Sequence, residues 1–97
     1  MLIGSLVLHL TLFESATLKD RRSLVRSLTD RVRQRFNVAV ADVGPTDDPG
    51  HAEIGIVCVS NEARHAHAML MRVLDFVEDL PLDAEIQDVQ TTVGPAF

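Results

Sequence analysis

The sequence predicts an α+β domain, a four-stranded antiparallel sheet with two helices on one face. Three observations carry this. Residues 2–13 and 53–59 alternate with period two, residues from about Leu18 or Asp20 to Phe36 and from about Asn61 to Leu80 repeat with helical period, and the elements follow one another in the order β-α-β-β-α-β.

In the first segment, Leu2, Gly4, Leu6, Leu8, Leu10 and Leu12 alternate with Ile3, Ser5, Val7, His9, Thr11 and Phe13, so the leucines share one face of a strand. Thr17 and Asp20 form a capping-box pair ahead of the first helix, with Asp in the position usually held by Glu or Gln. Leu24, Val25, Leu28, Val32 and Phe36 then fall on one stripe. After Asn37, residues 38–43 read as a second strand, and the Pro, Asp and Gly residues of 44–52 as a loop. Strand three follows, with Ile54, Ile56 and Cys58 on one face and Gly55, Val57 and Val59 on the other. Ser60 or Asn61 is expected to cap the second helix, whose apolar face is Ala66, Met69, Leu70, Val73, Val77 and Leu80, and Pro81 stops it. A last strand runs from about Ala84 to Val93. Its alternation slips near Asp88 and Val89, which predicts a bulged edge strand ended by Gly94 and Pro95. The expected core is Leu6, Leu8, Leu10, Leu24, Leu28, Val32, Ile54, Ile56, Leu70, Val73 and Val77.

This element order is the ferredoxin-like, split βαβ plan, with strands one and three central. Residues 1–97 read as one domain. A chain of this length hides only about 60–65% of its unfolded surface, yet 46% of its residues are hydrophobic, so part of the apolar surface is expected to meet a partner. One cysteine, Cys58, permits no internal disulfide. The first thirteen residues carry no charged side chain, but no basic residue precedes them and polar residues interrupt the run; a buried strand is expected there, not a signal or a membrane span. A cytoplasmic, membrane-free setting is the expectation.

The chain resembles the YlxP-like family, a bacterial family of unknown function. The resemblance rests on Met1-Leu2-Ile3-Gly4, Thr17-Leu18-Lys19-Asp20-Arg21-Arg22, Arg35-Phe36-Asn37-Val38 and Val59-Ser60-Asn61-Glu62-Ala63-Arg64-His65, in this order. It implies the ferredoxin-like fold and a gene found among translation and ribosome-maturation genes. Members often carry a Trp in the loop before strand three; this chain has no Trp.

Charge is distributed unevenly. The net charge is −5, but residues 19–35 hold seven of the nine basic residues and only two acidic ones. Lys19, Arg22, Arg26 and Arg33 lie within about 60° of one another around the helix, opposite the leucines, and Arg21 lies towards the apolar side. Such a stripe suits a phosphate backbone, so ribosomal RNA or a ribosomal protein is a candidate partner; the alternative is a solvated face that offsets the acidic remainder. Base stacking on the sheet is not expected, because the outward positions of the central strands, Ile3, Ser5, Val7, His9, Val57 and Val59, include no aromatic residue.

A second candidate surface is the sheet face away from the helices. Ile3, Val7, His9, Ala39, Ala41, Val43, Val57 and Val59 are expected there, mostly small or aliphatic and without charge, and a homodimer through this face is the simplest way to cover them. No catalytic residue, metal site or cofactor is expected. His65 and His67 diverge by about 200° on a helix, Cys58 has no base beside it, and Glu14-Ser15-Ala16-Thr17 lacks the Gly and Arg of the phosphate-binding loop that acylphosphatases carry between strand one and helix one. The expected function is that of a non-enzymatic accessory binding factor. The alternatives are an oligomerising module or a small-ligand regulatory domain.

Overall fold

The computed structural model describes all 97 residues. The elements are β1 (Leu2–Leu12), α1 (Leu18–Arg35), β2 (Ala39–Asp42), β3 (His51–Ser60), α2 (Ala63–Glu78) and β4 (Ala84–Pro95). The sheet order is β2-β3-β1-β4 and every neighbouring pair is antiparallel, which is the ferredoxin-like arrangement.

β1 sets the lengths of its neighbours. It pairs from Leu2↔Ser60 to Thr11↔His51 on one side, so β3 begins at His51, two residues before the sequence pattern placed it. On the other side it pairs from Leu2↔Pro95 to Leu12↔Ala84. Gly94 and Pro95 therefore belong to β4 and do not end it. Ala96 donates to Met1 O at 3.1 Å, and alternation along the ladder then turns residue 95 outward, where the N–H that Pro95 lacks has no partner to lose. The expected bulge is present. Asp88 faces His9 and Ile86 faces Leu10, which leaves Gln87 between them without a partner on β1.

α1 starts with a reciprocal cap. Thr17 Oγ1 accepts from Asp20 N at 3.1 Å, and the Asp20 carboxylate accepts from Thr17 N and Ala16 N, both at 3.2 Å. Its buried stripe is Arg21, Val25, Leu28, Thr29 and Val32. Leu24, expected in the core, is only half-buried, because it sits roughly 85° around the helix from the centre of that stripe. α2 begins later than expected. β3 holds Ser60 in the sheet, so Glu62 becomes the N-cap, without a side-chain cap bond, and Ser60 Oγ instead accepts from Glu62 N at 3.1 Å.

Both helices lie on one face. Leu6, Leu8, Leu10, Ile54 and Ile56 from the sheet meet Leu28, Val32, Leu70, Val73 and Val77 from the helices, all of them buried. Gly4 leaves room for α2 and for Cys58 of β3: a Cβ there would stand 3.0 Å from Cys58 Sγ, 3.1 Å from Leu70 Cδ1 and 3.3 Å from Ala66 Cβ.

Candidate functional site

The basic residues of α1 divide according to which way the helix turns them. Arg21 points inward and is only 4% exposed. Its guanidinium holds the Asp42 carboxylate with bonds of 2.7 and 3.2 Å. It also donates to His51 O at 2.8 Å and to Pro45 O at 3.1 Å. One side chain thus ties α1 to β2, to the start of β3 and to the loop between them. A buried guanidinium is tolerable only when its donors are matched in this way.

Arg22, Arg26 and Arg33 line a groove of about 610 Å³ between α1 and β2, together with Thr29, Asp30, Asp42 and Thr46. Asp30 stands among these cations, 3.3 Å from Arg33 and 4.0 Å from Arg26. Arg33 also donates to Val40 O at 2.8 Å. Val43 N donates to Glu53 O across the ladder, so alternation turns the Val40 carbonyl to the outer edge of the sheet; Arg33 covers that edge. Lys19, the fourth member of the expected stripe, is exposed but does not line the groove. Three arginines are therefore brought together and the lysine is not. On the opposite flank, Arg35 lies 5.4 Å from the centre of the Phe76 ring, which meets Phe36 edge-on. These aromatic rings join the two helices.

The register assembles the eight expected residues on the second surface. Across β3, β1 and β4 the outward rows read Val59–Ile3–Gly94, Val57–Ser5–Thr92, Gly55–Val7–Gln90 and Glu53–His9–Asp88. β2 sets Ala39 beside Val57 and Ala41 beside Gly55, and the Val43–Glu53 bond continues the ladder. The expectation of a charge-free face fails at one end. Glu53 and Asp88 flank His9 on it, the early start of β3 adds His51, and the bulge places Glu85 opposite Thr11. The face is thus uncharged over three rows, aliphatic on β2 and β3 and mixed with Ser5, Thr92 and Gln90 on β1 and β4, and acidic beyond them.

At the acidic end His9, Asp47, Asp48, His51, Glu53 and Gln87 line a hollow of about 440 Å³, which the sequence pattern did not bring together. His9 Nε2 is 3.2 Å from Gln90 Oε1, and its Nδ1 is 3.6 Å from Glu53 Oε1. Asp48 accepts from Gly50 N at 2.8 Å and lies 2.8 Å from His51 Nδ1. The Gly50 N–H, and then His51, hold the Asp48 carboxyl below the ordinary carboxylate range. The spacing Asp48-x-Gly50-His51 was the sequence signal for this turn. No three His, Cys, Asp or Glu side chains converge as metal ligands here or elsewhere. His65 is exposed, 3.6 Å from Glu62, and Cys58 is buried. No helix is long and apolar enough to cross a membrane.

Among known proteins, the chain is similar to the uncharacterized protein YlxP of Bacillus subtilis (strain 168), with 28% identity over 80 residues, 82% of this chain and 87% of that one. Among solved structures it is similar to a mutant of SnoaB, a cofactor-independent oxygenase from Streptomyces nogalater. The identity is 10% and the TM-score 0.48, over 97% of this chain and 92% of that one. It is also similar to an antibiotic biosynthesis monooxygenase, with 17% identity and a TM-score of 0.46 over 100% and 99% of the two chains. Neither of these structural likenesses bears on chemistry. The family described as Protein of unknown function (DUF503) matches residues 3–91, nearly the whole chain, and this protein belongs to it.

Proposed function

We propose that this protein is a non-enzymatic binding factor that holds the phosphate backbone of structured RNA, ribosomal RNA first among the candidates, in the groove between α1 and β2. The observation that carries this reading is the placement of Arg22, Arg26 and Arg33 along one groove. Arg21 and Asp42 neutralise each other at its inner side, so three cations face one remaining carboxylate, Asp30. Guanidinium groups suit phosphate because their fork of donors matches its oxygens. Recognition would be of backbone and helix shape, since the outward positions of β1 and β3 offer no ring for base stacking.

The test is binding of a structured RNA across a salt series. Two or three phosphate contacts predict a slope of about −2 in log K against log salt. The double variant Arg22→Glu with Arg26→Glu should abolish binding at low salt, and Lys19→Glu, outside the groove, should weaken it less. Equal binding by the double variant removes the proposal. Capture of a ribosomal protein after nuclease treatment, with no RNA binding, would replace the RNA by a protein partner.

A further inference from the structure

The open sheet face carries a second inference, independent of the groove. We propose that it is a homodimer interface, with two copies packed sheet on sheet about a two-fold axis that lies between the two faces along the Val57–Ser5–Thr92 row. Ile3, Val7, Ala39, Ala41, Val43, Val57 and Val59 are the apolar side chains concerned, and Val43, Val57 and Val59 are 56%, 38% and 66% exposed. The surface is smooth as well as apolar. A Cβ on Gly55 would stand 2.9 Å from Val43 Cγ1, so Val43 leans over the glycine and fills the gap in its row.

Area sets the scale of the association. β1, β3 and β4, about 4.8 Å apart with about ten paired positions at about 3.3 Å each, and the four positions of β2 make a face of about 540 Å². Two copies would hide at most about 1,100 Å² between them, just under the range for stable specific interfaces and within that of weak, transient ones. The expected dimer is therefore weak and reversible. The three uncharged rows, Ser5, Thr92 and Gln90 included, cover about 350 Å², a patch of the size at which exposed surface is often functional.

Charge selects the geometry and the occupant. Glu53, Asp88 and Glu85 all lie at one end of the face. Stacking two copies with their strands in the same direction would set these carboxylates against each other. The two-fold axis proposed here moves each copy's Glu53–His9–Asp88 row about 13 Å from the axis, on opposite sides, and lays uncharged rows on uncharged rows. A nucleic acid finds no cation in those rows and carboxylates at their end. A second copy carries the same flat, uncharged outline by identity. Because α1 and α2 lie on the other face, this dimer leaves the arginine groove open.

Sedimentation of the full chain from 1 to 100 µM tests the proposal. The expected result is a reversible shift from 10.7 kDa towards twice that mass, unchanged by salt, unlike the binding of RNA. Val57→Asp should raise the dissociation constant at least tenfold with an unaltered helical signal. Val59→Asp, at the more exposed position, gives the same readout if Val57→Asp fails to fold. A monomer at 100 µM overturns the proposal, and so does a dimer of undiminished strength in the folded Val57→Asp or Val59→Asp variant.

Discussion

Arg21 on α1 and Asp42 on β2 are joined by two hydrogen bonds, 2.7 and 3.2 Å long, on the inward side of an otherwise exposed basic helix. This pair separates a structural arginine from the three beside it that line the groove. Arg21→Met should destabilise the fold by about 3–5 kcal/mol, because it leaves the Asp42 carboxylate and two carbonyls without their donor. Arg21→Met combined with Asp42→Leu should be less harmful than the sum of the single changes. Urea unfolding of the four proteins measures both quantities, and strict additivity would show that the pair is not coupled.

Leu28 and Leu24 lie one turn apart on α1, but only Leu28 is fully buried. Leu28→Ala should cost about 2–5 kcal/mol, a large fraction of the stability of a small domain. Leu24→Ala should cost less than half as much. Equal losses in denaturant would mean that the helix sits rotated from the orientation described.

Asp30 interrupts the groove's positive charge through its contacts with Arg26 and Arg33. Such exposed pairs contribute about 0–1 kcal/mol, so Asp30→Ala should leave the melting temperature nearly unchanged. The same variant should bind structured RNA more tightly at low salt, by severalfold. Arg33 keeps its orientation through Val40 O. Weaker binding by Asp30→Ala would place the phosphate contact elsewhere.

Asp48 titrates below the ordinary carboxylate range because its charged form accepts the Gly50 N–H and faces His51. The sign follows from linkage: its contribution to the turn is present above the ordinary range and disappears as pH falls through the lowered value. An NMR titration of the side-chain carboxyl should show that low midpoint. His51→Ala should raise it only part of the way, since the Gly50 bond is the larger cause. A full return to the ordinary range in His51→Ala would assign the effect to the histidine instead.

Much of this structure was legible in the chain itself. The alternation of β1 and β3 identified Leu6, Leu8, Leu10, Ile54 and Ile56 as inward, and Thr17 with Asp20 announced the start of α1. The broken alternation near Asp88 announced the bulge. These features depend on neighbours within a few residues, where strand pleat, helix pitch and local hydrogen bonds act. The exposure of Arg22 and Arg26 follows from the same helical pitch.

Other features depend on residues far apart in the chain. Helical angle placed Arg21 towards the apolar side, but its partners lie 21, 24 and 30 residues away. Nothing local to residue 21 specifies them. The acidic end of the sheet face likewise arose from register. The length of β1 drew His51 into the sheet, pairing set Glu53 and Asp88 on either side of His9, and one unpaired residue, Gln87, decided that Glu85 would stand opposite Thr11. The sequence by itself determined the elements, their order and the apolar faces, because these follow from periodicities of two and 3.6. Tertiary structure alone decided which arginine became structural, which three share a groove and where the open face turns acidic, because each is set by contact between strands and helices that meet only after folding.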